Sequence, residues 1–196
     1  MIRKKTNGAR HRQPSSIQVR KACTLTDIFF NPQGRLVPAD FLWAGYVLIL
    51  IGAGFQILGL VSFDLAQKIN WLSYALIYPW TVIWIKRLHE GGKPGIMFLS
   101  YVLLYFILST LGFLLVDRVF GHGQFMTLIQ ATMEQTVPET EIETRLMAWA
   151  KSIMLPMAIS SILVSLVVLH IGNITIGQDP NDNRWGPAPP NPDVFD

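Results

Sequence analysis

The chain has 196 residues, of which 51% are hydrophobic and 15% charged, and its formal net charge is +3. Together with a positive mean hydropathy this excludes an ordinary soluble domain and makes the membrane the default setting. A single cysteine, Cys23, excludes an intramolecular disulfide and any cysteine-based zinc or iron–sulfur spacing.

Residues 1–23 hold Arg3, Lys4, Lys5, Arg10, Arg12, Arg20 and Lys21 without one acid. They form a basic tail without periodicity, expected to be disordered and drawn to anionic headgroups. No aromatic residue is interleaved with those charges, so nucleic acid is not the expected partner. The first apolar run starts only near Phe41, too late for a signal peptide. Before it, Thr24 to Phe30 has a capping residue followed by an apolar cluster, the pattern of a short interfacial segment.

Residues 24–176 are expected to form an all-α membrane domain of four transmembrane helices, at about 41–63, 66–88, 95–116 and 152–171. In the first span Gly45, Gly52 and Gly59 recur every seven residues, and Gln56 follows on the same stripe. Such a face admits a neighbouring backbone, and Gln56 offers a hydrogen bond across it. The second span is short in apolar residues, carries Pro79 where a kink is expected, and ends in Lys86 and Arg87, expected to snorkel. Trp71, Tyr74, Trp80 and Trp84 suit interfacial belts. Lys93-Pro94 opens the third span.

The loop 117–151 is expected to lie outside the cytoplasm and to be partly helical. Phe125, Leu128, Ile129 and Met133 share one helical face. Pro138 followed by Glu139, Glu141 and Glu143 marks a helix start that runs through Trp149 into the fourth span. Ala158, Ser161 and Ser165 give that span a small, hydroxyl-bearing face matched to the glycine stripe. Residues 177–196, rich in proline, are expected to be an extended tail.

Twelve of the 16 Lys and Arg residues fall on the side of the N-terminus. The positive-inside rule then puts both termini in the cytoplasm of a multi-pass protein of the bacterial inner membrane. No acid or base lies at mid-depth in a span, which argues against an ion-coupled transporter. Two scattered histidines, His89 and His170, make no metal site, and neither a catalytic triad nor a phosphate loop is present. No cofactor is implied.

Three motifs remain: Phe30 with Gly34-Arg35 before the first span, Lys86-Arg87-Leu88-His89-Glu90-Gly91-Gly92-Lys93-Pro94-Gly95 between the second and third, and Gly177-Gln178-Asp179-Pro180-Asn181-Asp182-Asn183-Arg184-Trp185-Gly186-Pro187 after the last. Their order resembles the uncharacterised bacterial inner-membrane family of the YhaH/YhaI type (domain of unknown function 805). Members show a Gly-Arg, an Arg-Arg-Leu-His-Asp loop and an Asn-Arg-Tyr-Gly tail. Pro38 stands here where the family usually has a second arginine. The resemblance implies a fold and a topology but no substrate.

Without function, the central motif is a hairpin whose cations complement the end of a helix. As a site, Arg35, Lys86, Arg87, His89, Arg184 and Trp185 would meet at the cytoplasmic face on an anion, such as a lipid headgroup or a partner's carboxylate. The expected function is a non-enzymatic accessory or scaffold subunit binding other subunits of a larger, energy-transducing membrane assembly. A self-associating channel or carrier is the alternative, and an enzyme acting on lipid or quinone comes third.

Overall fold

Thr24 accepts a hydrogen bond from the backbone N–H of Asp27, and the helix it caps, α1, runs over Leu25–Phe30. The computed structural model describes residues 24–61, 71–134 and 137–187, with side chains in the first stretch described to 58. The basic tail, the link before Trp71 and the final residues from 188 lie outside the described residues, as does the setting of Gly59. Among the described residues the fold is all-helical, with one isolated β-bridge between Asn183 and Gly186.

After α1 come α2 (Pro38–Val61), α3 (Ile77–Glu90), α4 (Phe98–Val119), α5 (Gln124–Glu134) and α6 (Glu139–Ile176). Pro38 opens α2, where a missing N–H costs nothing. Short 3-10 turns at Tyr74–Leu76 and Gly95–Met97 lead into α3 and α4. Three helical stretches, Pro38–Leu58, Gly95–Val119 and Glu139–Ile176, are long and apolar enough to cross a membrane.

The second expected span is not among them. That span, at about 66–88, begins outside the described residues; within them it comprises α3, of 14 residues, and the helical residues 71–76 that run directly into it. Pro79 lies in the first turn of α3, just after the 3-10 turn at Tyr74–Leu76, where a proline is tolerated. Lys86 and Arg87 are buried instead of snorkelling. Trp84, expected in an interfacial belt, is also buried, edge-on to Phe41 at 5.0 Å and close to Tyr101 at 4.6 Å.

The helix α6 organises the bundle, making its most extensive contacts with α4 and α2. A Cβ on Gly45 of α2 would press into Leu169, and one on Gly112 of α4 into Ser160. With 38 residues α6 is about 57 Å long, so its first third extends past any single crossing. That extension packs with α5. Phe125 lies edge-on to Phe113 at 4.9 Å and stacks on Trp149 at 5.4 Å, while Trp149 donates its indole N–H to buried Asp117 at 2.8 Å. The face expected on α5 is therefore divided: Phe125 and Leu128 pack inward, and Met133 points out, 80% exposed.

The buried core is gathered at the other end. Leu36, Phe41, Ala44, Leu48, Ile83, Trp84, Leu88, Val168, Leu169 and Ile176 form one cluster beneath the α3–α4 hairpin. Farther along, Leu103, Phe106, Leu111, Leu155 and Leu163 stay exposed, as helices facing lipid require.

Candidate functional site

The α3–α4 turn begins where His89 and Leu88 lend their carbonyls to the N–H groups of Gly92 and Lys93. Gly92 takes φ +68°, which a side chain would strain. Gly91 lets the turn lie against the end of α6, since a Cβ there would meet the Ile176 carbonyl.

From this turn two cations cap α6. Arg87, 1% exposed, donates to the Gly177 carbonyl at 2.7 Å, the Asn173 carbonyl at 2.9 Å and the Asn173 side chain at 3.2 Å. Lys93 donates to the Thr175 carbonyl at 3.0 Å. These carbonyls close the helix, where positive charge is favoured. On the other flank Lys86 donates to the Asp27 carbonyl of α1 at 2.8 Å, and the Lys86 carbonyl accepts from Leu36 N–H at 3.1 Å.

Arg35 ties three segments together. Its Nε donates to Glu90 at 2.8 Å in an ion pair whose side chains are 5% and 0% exposed. Its other nitrogens reach the carbonyls of Glu90, Asp179 and Asn181. The tail is further held by the Asp179 N–H on the Glu90 carbonyl at 3.0 Å and by Asn183 Nδ2 on the His89 carbonyl at 3.1 Å. Hydrogen bonds from the Asn181 backbone and the Asn183 side chain hold the Asp179 carboxyl below its usual range.

Above the turn His89 stacks flat on Trp185, with centroids 3.6 Å apart and planes 7° apart, and Arg184 lies over the same indole at 4.5 Å. The Nδ1 of His89 donates to the Gly34 carbonyl at 3.2 Å. Burial pushes the imidazole below its usual pKa; the Gly34 bond opposes this and the Arg184 charge adds to it. His89 is therefore held toward its neutral form.

All six motif residues thus meet at one end of the bundle. The donors of Arg35, Lys86 and Arg87 engage the chain's own acceptors. Arg184 is exposed and has no hydrogen-bond acceptor among the described residues. The chain 177–187 folds back onto the hairpin, where an extended tail was expected. Gly177 and Asp179 belong to the tail motif, but sequence reasoning gave them no role, and it did not single out Asn173; their contribution runs largely through backbone carbonyls. Among the described residues, no group of three His, Cys, Asp or Glu side chains comes together as metal ligands.

The proposed packing residues are spread along the spans. Gly45 touches Leu169 closely, whereas Gly52 has nothing within 4 Å of a Cβ and lines a cavity. Ser161 lies 3.0 Å from Gln56 Oε1, linking α6 to α2, and Ser165 donates to the Ser161 carbonyl at 2.8 Å. Nearer the hairpin, His170 accepts from the Tyr46 hydroxyl at 3.0 Å and donates from Nδ1 to the Leu166 carbonyl at 2.8 Å. Comparison with protein-family models, curated proteins and solved structures found no match.

Proposed function

We propose that this chain is a four-span protein of the bacterial inner membrane, of the family its three motifs resemble, serving as a non-enzymatic accessory subunit of a larger membrane assembly. In this reading α3 and the helical residues before it make the fourth crossing, and the hairpin end with both termini lies in the cytoplasm. One observation carries the functional reading. The buried cations are spent on the chain's own acceptors, whereas α4, packed on α6 along one face, leaves Leu99, Leu103, Phe106, Ile107 and Leu111 exposed along the other. Such an end holds a fold together, and such a helix has surface to offer a neighbouring subunit. Exposed Arg184, beside Trp185, is the group of the set that contacts anionic headgroups or a partner's carboxylate.

Purification from native membranes in mild detergent tests the assignment. Stoichiometric co-purification of other membrane subunits is expected. Recovery of a monomer alone contradicts it, and a homomer favours the self-associating channel. Topology is tested separately on Cys23, which an impermeant alkylating reagent should reach only after the inner membrane is opened. Labelling in sealed spheroplasts contradicts the orientation.

A further inference from the structure

A cavity of about 140 Å³ lies among α2, α3, α4 and α6. Its lining runs from Leu48 to Gln56 on α2, about 15 to 27 Å along the helix from Pro38, within the hydrocarbon layer of a helix crossing there. The wall is polar and apolar in about equal measure: Leu48, Ile162 and the indole of Trp80 face it, and so do Gln56, Tyr105, Ser161 and Ser165. One end of the Gln56 amide meets Ser161. The other end, like the hydroxyl of Tyr105, has no hydrogen-bond partner among the described residues.

At that depth no bulk water satisfies such groups, and an unmet polar group in hydrocarbon is costly. A purely apolar guest would leave them unmet. A phospholipid headgroup is ill suited, because no charged side chain lines the cavity to meet its phosphate. Apolar cavities of about 150 Å³ hold one benzene, so the volume suits a single six-membered ring. The two polar groups sit on different helices, as two ring substituents would require.

We infer that this cavity binds the ring of a membrane-dissolved quinone or quinol, with Tyr105 and Gln56 hydrogen-bonding its oxygens and Trp80 against its face. Reversible binding is all that is assigned, and the inference does not depend on the accessory-subunit reading.

The test uses the full chain in phosphatidylcholine nanodiscs, titrated with decyl-benzoquinone. Tryptophan quenching is followed, and the part due to Trp80 is obtained by difference from Trp80→Phe. Saturable quenching is expected, with Tyr105→Phe and Gln56→Leu each weakening the apparent affinity about two- to tenfold. Decylbenzene, which has the ring without the oxygens, should fail to compete. Quenching that rises linearly without saturation reports only partition into lipid and overturns the inference. So does saturable quenching that Tyr105→Phe leaves unchanged, because that variant removes one oxygen and preserves the packing even if Gln56→Leu fails to fold.

Discussion

The two ends of this bundle are held by different forces. At the hairpin end, the side chains of Arg35, Arg87 and Glu90 are almost fully buried, and several segments exchange hydrogen bonds through them over the densest part of the core. At the opposite end, α5 and the start of α6 rest on an aromatic contact among Phe113, Phe125 and Trp149 and on one buried acceptor, Asp117. Between them the helices are open to their surroundings. Apolar helices gain little from each other in lipid, which is as apolar as they are. Their register therefore has to be fixed at a polar end, and the hairpin end supplies that.

If this contrast holds, the largest loss of stability should follow Arg87→Ala. It frees the carbonyls of Asn173 and Gly177 and removes a buried, charge-assisted cap, at about 3 kcal/mol or more. Thermal unfolding in detergent should show it; a change below about 1 kcal/mol would mean that the end of α6 is held by packing alone.

Much of this end was legible from the sequence, and the reason is chemical. Cations at the end of a helix, glycines in a turn and a capping threonine are side-chain signals, so Lys86 to Gly95 and Thr24 appear where their residue types demand, as does the start of α6 at Glu139 at the opposite end. The partners of those cations are mainly backbone carbonyls, which every residue carries, so Asn173 leaves no mark. The burial of the end of α3 was hidden for another reason. Its hydrophobicity is compatible with a span, but its last residues, Lys86 to Glu90, are buried by the tail and by α1 rather than left at a membrane surface.

A smaller effect separates close packing at this end from openness elsewhere. Gly172→Ala would drive a methyl into the buried Trp84 ring and should cost about 1–3 kcal/mol. Gly52→Ala, with nothing within 4 Å, should be neutral or slightly stabilising, since alanine is the better helix former. Equal losses in the two variants would erase the contrast.

The pH response should also belong to the hairpin end. The folded protein holds His89 below its ordinary value of 6.5, so the unfolded chain takes up a proton first. The stabilising contribution is complete above about pH 6.5 and is lost as pH falls from there toward the lower folded value. Melting temperature should drop over that window, and the drop attributable to this site should disappear in His89→Gln. The smallest effect is expected on α6 beyond the bundle, where the exposed Arg145–Glu141 pair should contribute at most about 0.5 kcal/mol, as Arg145→Ala would show.

The most direct measurement is a double-mutant cycle on Arg35 and Glu90, which are 55 positions apart in the chain but joined at 2.8 Å. Unfolding free energies of Arg35→Met, Glu90→Gln and the double variant should reveal a coupling of about 1–3 kcal/mol, with the double variant losing less than the sum of the singles. Strict additivity would mean that the N-terminal segment and the hairpin are not clasped together, and would contradict the polar end as the device that sets the register of the bundle.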